Sequence, residues 1–170
     1  MPALAVAPDP VNTATPSFDA LYREHASDVY AYAHSLLRDR ASAEDVTMLA
    51  FERAYRRRRT FDRGRGSARA WLFTIARNAA LDELRRRKRS APLTVEPAAE
   101  PAREERDPLQ RAAVRAAMAG LDPRDRELVV LKFVAGLSNA EIGEVIGTSP
   151  TNAGTRLHRV VTKLREACNA

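Results

Sequence analysis

Asn152, Thr155, Arg156, His158 and Arg159 are polar or basic and alternate with apolar residues spaced three and four apart. That interleaving places them on the outward face of a helix whose buried stripe is Ala153, Leu157, Val160, Val161 and Leu164. Amide, hydroxyl and guanidinium groups of this kind hydrogen-bond base edges and phosphates. A second set of basic residues, Arg56 to Arg59 and Arg85 to Arg89, brackets the aromatic pair Trp71 and Phe73. Cationic grooves with exposed ring planes suit a single nucleic-acid strand, so the aromatics are expected at the surface, with buried bracing of the helix as the alternative for Trp71. Covalent chemistry is not signalled. There is no Ser-His-Asp or Cys-His arrangement, and no carboxylate pair in an apolar, glycine-rich setting. The three histidines are scattered without metal-ligand spacing, and His25 reads as a packed or boundary residue. The Gly64-Arg65-Gly66 stretch lacks the pattern of a nucleotide-binding loop. The expected chemistry is binding, without catalysis, metal or cofactor.

The element that carries the first set runs from Leu137 to Arg159 and has the form helix, tight turn, helix. Ser138 is placed to cap the first helix, with Ile142, Val145 and Ile146 inward; Gly147 ends it, and Ser149-Pro150 opens the next. A short polar helix braced by a second one is the geometry that enters a DNA major groove. The whole chain of 170 residues carries 28 Lys and Arg against 22 Asp and Glu, a formal charge of +6, which favours a polyanionic partner. The single cysteine, Cys168, excludes an internal disulfide and a cysteine-rich zinc site. With no apolar run of membrane-spanning length and no signal-peptide pattern, a cytoplasmic protein is expected.

The remaining pattern is helical throughout. Residues 1–17, rich in Ala and Pro, read as a disordered tail. A first module spans 18–89. Its first helix follows Phe18, Leu21, Tyr22, Val29, Tyr32, Ala33, Leu36 and Leu37. Its second is expected to be capped at Ser42 and buried through Val46, Leu49, Ala50, Ala54 and Tyr55. Its third, Ala68 to Arg89, is capped by Ser67 and buried through Leu72, Ile75, Ala76, Ala79 and Ala80. Residues 90–107, with Pro92, Pro97 and Pro101 among acidic side chains, read as a linker. A second module, 108–170, opens with Leu109, Ala112, Ala113, Ala116 and Ala117 on one face. A helix from Asp122-Pro123 follows, with Leu128, Val129, Leu131 and Phe133 on its apolar side. The fold class is all-α: two small helical domains joined by a flexible linker, the C-terminal one containing the helix-turn-helix.

Four passages in this order carry a resemblance: FDALYREHASDVYAYAHSLLRDRASAEDV, RGSARAWLFTIARNAALDELRRRKR, LDPRDRELVVLKFVAGLSNAEIGEVIG and SPTNAGTRLHRVVTKLRE. The chain resembles bacterial RNA polymerase sigma factors of the extracytoplasmic-function (ECF, group IV) type. The resemblance implies that the protein binds core RNA polymerase, directs it to promoters and helps open the −10 region. Glu44, Asp45, Met48 and Leu49 would dock on the polymerase clamp helices. The −10 element would be held by Phe61, Arg63 and Arg65 of the loop and by Trp71, Arg77, Asn78 and Arg85 of the following helix. Asn78 is the candidate base contact, and Arg77 and Arg85 would meet phosphates. Asn152, Thr155, Arg156 and Arg159 would read the −35 element as duplex, and an anti-sigma protein is a further implied partner.

Two departures qualify the resemblance. Met48 and Leu49 stand where Gln and an acidic residue are usual, which implies weaker docking on a basic clamp. Asn152-Ala153-Gly154-Thr155 replaces a Thr-Val-Lys-Ser pattern; Gly154 removes a phosphate contact and costs about 1 kcal/mol of helix stability relative to Ala. The alternatives are a stand-alone helix-turn-helix regulator and a degenerate sigma homologue acting through protein–protein contacts.

Overall fold

The computed structural model describes residues 17–90 and 107–169. The expected tail and linker therefore lie almost wholly outside the described residues. Every regular element among the described residues is helical. Helix α1 (Phe18–Leu37) starts at Ser17, whose hydroxyl accepts the Ala20 N–H, and stops at Arg38 in a left-handed conformation. Helix α2 (Arg40–Arg57) is capped by Asp39, which accepts the Ser42 N–H at 2.9 Å. The expected cap at Ser42 is thus displaced by three residues: a carboxylate in extended backbone outcompetes a hydroxyl already inside the first turn. Two 3-10 turns, Arg58–Thr60 and Arg63–Arg65, lead to α3 (Ala68–Arg89), which Ser67 caps as expected.

In the second half, α4 (Pro108–Ala119) and α5 (Pro123–Val129) each begin with an aspartate cap followed by proline. A π-helical turn, Val130–Val134, continues α5; α6 (Asn139–Ile146) and α7 (Pro150–Asn169) form the helix-turn-helix. Ser138 and Glu141 make a reciprocal capping box on α6, and Gly147 ends it at φ 75°, a conformation that glycine adopts without steric cost. The turn is tight enough that a Cβ on Gly143 would sit 2.6 Å from the Thr148 carbonyl oxygen, a backbone atom that cannot swing aside. Gly143→Ala is therefore expected to cost about 1–3 kcal/mol by forced overpacking, seen as a lower urea midpoint.

Several side chains fall on faces other than those expected, Tyr22 of α1 among them at 51% exposure. Phe133, expected on the apolar side of its helix, is 59% exposed. The π turn inserts extra backbone after Val129, with the Ala135 N–H reaching back to Val130, and this rotates the helix so that Val130 and Leu131 point inward. In α2, Phe51 is buried and Tyr55 is exposed, the reverse of the expected stripe; Phe51 meets Phe18 and Tyr22 edge-on, while Tyr55 covers Phe18 from outside. No residue of α4 is buried and Leu109 is 78% exposed; the helix packs mainly on α7, with Met118 reaching the main core.

One apolar core runs through both halves. Leu72, Phe73 and Ile75 of α3 and Val29 and Tyr32 of α1 cluster with Leu128, Leu131, Leu137 and Ile142 of the second half. A smaller cluster, Ala33, Leu37, Ala43, Val46, Ala79 and Ala80, holds the far ends of α1–α3 together.

Candidate nucleic-acid interface

Helix α3 presents its polar residues along one side of the first module. Asn78 and Arg85 are exposed, and Arg85 reaches back to Asp82 at 3.2 Å. The loop before it is ordered by Asp62, whose carboxylate accepts the Gly64 N–H and pairs with Arg65 at 3.7 Å; Arg63 and Arg65 both face solvent. Phe61 and Trp71, both half-buried, lie 5.2 Å apart between ring centroids, so loop and helix share an aromatic corner. Phe73 does not join them. It is fully buried against Tyr32, because three-residue steps from Ala70 through Phe73 to Ala76 run along the inward face. The expected exposed pair of Trp71 and Phe73 is therefore not formed: Phe73 is core, and the half-buried Trp71 meets Phe61 instead.

Arg77 is placed in a setting that the sequence did not suggest. Its Nε donates to Glu127 Oε1 at 2.7 Å and its Nη2 to Oε2 at 3.3 Å, while the Tyr32 hydroxyl donates to the same Oε1 at 2.7 Å. Glu127, only 7% exposed, belongs to α5 of the second half. Burial works against the Arg77 charge, but the Glu127 hydrogen bonds outweigh it and raise its pKa. Burial, reinforced by Glu127, pushes the Tyr32 phenol well above its ordinary value. The available signal for Glu127 was its phase: 127, 128 and 131 share one face of the helix, so the carboxylate had to point inward with Leu128 and Leu131.

The surface of α2 carries Glu44, bonded to Arg40 at 2.9 Å, exposed Asp45, and Met48 at 73% exposure. Leu49 is half-buried on the smaller cluster, at the rim of a groove between α2 and α3 where Asp45, Asp82 and Glu83 face Arg86 and Arg89. In α7, Asn152, Thr155, His158 and Arg159 are exposed, as their phase requires. Arg156 is half-buried and lies 3.8 Å from Asp125, which Lys163 also approaches at 3.6 Å. Gly154 faces α6, where a Cβ would come within 2.9 Å of the Asn139 amide nitrogen, so the missing side chain lets the two helices approach. His25 is largely buried, with its pKa lowered by burial and by the Arg69 charge.

Three carboxylates are held below their usual range: Glu83 by Arg86 and Arg87, Asp39 by Ser42, and Glu141 by the Ser138 N–H and the Ser67 hydroxyl, which together overcome its burial. The unfolded chain takes up protons at these groups at higher pH than the folded one. Their stabilisation is thus complete above the ordinary carboxylate range and is lost as pH falls through the lowered folded values. The urea midpoint should drop between about pH 5 and about pH 3, and Glu83→Gln should flatten part of that slope.

Two helical modules, one with a Phe61–Trp71 ring corner and one with a helix-turn-helix, have the architecture of a DNA-binding protein. The family model Sigma-70 region 2 matches residues 21–90 and the model Sigma-70, region 4 matches residues 111–164. The chain is 38% identical to RNA polymerase sigma factor CarQ of Myxococcus xanthus, with 88% of each chain covered. It is 34% identical to ECF RNA polymerase sigma factor SigL of Mycobacterium tuberculosis, with 86% of this chain and 85% of the relative covered. Among solved structures it is similar to sigma factor RpoE in complex with the anti-sigma factor NepR from Bartonella quintana. That match has a TM-score of 0.75 and 25% identity, covering 90% of this chain and 97% of that one. The chain belongs to the ECF sigma factors of RNA polymerase, a family that directs promoter-specific transcription and is not a family of enzymes. No helix among the described residues is long and apolar enough to cross a membrane.

Proposed function

We propose that the protein is a cytoplasmic initiation factor that catalyses nothing itself and works in three places along the chain. The domain 18–89 docks on core RNA polymerase through Glu44, Asp45, Met48 and Leu49 of α2. It grips the −10 strand with Phe61, Arg63, Arg65, Trp71, Arg77, Asn78 and Arg85. The domain 108–170 reads the −35 duplex with Asn152, Thr155, Arg156 and Arg159 of α7, and residues 90–107 tether the two. An anti-sigma protein is a further partner, a proposal supported by the NepR complex of the RpoE relative. The observation that supports this reading is the presence, in one chain, of two distinct polar helical faces, each with chemistry suited to a different nucleic-acid form. The α3 face joins Asn78 and Arg85 to a Phe61–Trp71 ring corner suited to unstacked bases, whereas α7 is a polar helix suited to a groove.

The test is transcription by bacterial core RNA polymerase on fragmented genomic DNA with and without the purified protein. Discrete new start sites sharing two upstream elements are the expected result. Asn78→Ala should then change the −10 preference. A folded protein that binds core polymerase but yields no starts would instead support the degenerate-homologue reading. One that ignores polymerase and dimerises on duplex DNA would support the stand-alone regulator.

A further inference from the structure

We propose that Lys132, held beside α7 by Asn139 where Gly154 leaves a gap, binds a backbone phosphate of the −35 duplex. The inference rests on the assignment of α7 to that duplex and deepens it, because it supplies a contact that α7 by itself lacks.

Successive residues of an α-helix turn by about 100°. Asn152, Thr155 and Arg159 therefore share one outward face of α7, and Gly154 lies to one side of it, toward α6. A Cβ on Gly154 would stand 2.9 Å from the Asn139 amide nitrogen and 3.8 Å from its Cγ. The carboxamide of Asn139 thus rests against the bare backbone of α7, in the space that a side chain would fill. Its other end meets Lys132, whose ammonium donates to Oδ1 at 3.5 Å. Lysine carries donors only, so the amide must turn its oxygen to Lys132 and its NH2 toward α7. Among the described residues no acceptor meets that NH2, and no carboxylate pairs with Lys132. Backbone geometry fixes this placement. The Leu137 N–H bonds back to the Leu131 carbonyl at 2.9 Å, which keeps the link from α5 to α6 short and brings residue 132 beside residue 139.

An ammonium and an amide NH2 that converge at the edge of a groove-reading helix suit one acceptor above others, a phosphate oxygen. The strand bordering the groove reaches such a flank before the base edges do. The two flanks of α7 also differ in charge. On the far side, Arg156 and Lys163 lie 3.8 and 3.6 Å from Asp125, which offsets their charge. On the near side the charge of Lys132 is uncommitted. Gly154 is therefore more than a lost contact. A lysine there would compete with Asn139 for one space, so the cation comes from the end of α5 in place of α7. Asn139 and Gly154 act through Lys132 and are positioning residues.

The test uses the full chain assembled with core RNA polymerase. Anisotropy is read over a salt series on two labelled duplexes, one carrying the upstream element found by start-site mapping and one with that element scrambled. Lys132→Gln should weaken both alike, by about fivefold to tenfold near 0.1 M salt, and lower the salt slope by about one. Lys132→Arg should restore the slope. Gly154→Ala should raise the urea midpoint, because alanine favours a helix. It should nevertheless weaken binding by about threefold, the scale of one neutral hydrogen bond, by pushing the Asn139 amide aside. A glycine with a structural role alone would not move the two readouts in opposite directions. Asn139→Ala should weaken binding at least as much, and adding Gly154→Ala to it should weaken binding no further. Arg165→Gln, exposed at the far end of α7, controls for net charge and should leave the slope unchanged.

The proposal is overturned if Lys132→Gln keeps the wild-type affinity and slope, or if Arg165→Gln lowers the slope equally. It is also overturned if Lys132→Gln weakens only the duplex with the intact upstream element, which is the mark of a base contact. Failure of the −35 assignment has a different signature: wild type binds the two duplexes alike, and Arg159→Ala weakens neither.

Discussion

Replacing Phe73 by alanine should lower the stability of the whole chain by about 3–5 kcal/mol, the usual cost of deleting a buried aromatic ring. The ring is fully buried, packs edge-on to Tyr32 at 5.6 Å, and belongs to the core cluster that also contains Leu128 and Leu131 of the second half. No neighbour can easily fill the void, since Leu72, Ile75 and Tyr32 are themselves fixed in that cluster. Urea unfolding should show a lower midpoint with unchanged slope, in one transition, because the cavity opens in a core that both halves share. Trp71→Ala, two residues away but half-buried at the surface, should cost distinctly less. A loss below about 1 kcal/mol for Phe73→Ala would mean that the ring is not held in a closed core.

The contrast between Phe73 and Trp71 shows where the sequence was legible. Local determinants of helix ends could be read directly. Ser67, Ser138, Asp122-Pro123, Gly147 and Ser149-Pro150 act through hydrogen bonds and φ values within a few residues, and each does so at its expected place. Periodicity also located the inward faces of α1, α3, α6 and α7. It failed where backbone geometry changed phase, as in the π turn that turns Phe133 outward, and where two aromatics competed for one site, as Phe51 and Tyr55 do. Asp39 is not singled out by the sequence, because two capping residues stand three apart and their backbone conformations decide between them. Least legible were contacts between the halves. Arg77 and Glu127 are 50 positions apart, and nothing local tells a buried guanidinium from one free to meet a phosphate. The polar residues of α7 were legible because their exposure follows from its periodicity, but their relative importance was not, since Asp125 lies outside that helix.

That last point gives the second large expected effect. Within α7, Arg159→Ala should weaken binding of the assembled polymerase to duplex −35 DNA by about tenfold to a hundredfold, the range for loss of a direct arginine contact. Arg156→Ala should cost less. Its guanidinium is half-buried beside Asp125, so reaching the groove requires breaking an ion pair worth about 0–1 kcal/mol at such a partly exposed site. Asp125→Asn should accordingly tighten −35 binding, because it frees Arg156 and Lys163 together and removes a negative charge from beside the phosphates. Anisotropy titrations over a salt series separate the roles. Loss of a phosphate contact weakens all sequences alike and lowers the salt slope by about one, whereas loss of a base contact relaxes preference at a single position. If Arg156→Ala proves the more damaging of the two, Asp125 is orienting the guanidinium toward the groove instead of competing for it, and Asp125→Asn should then weaken binding.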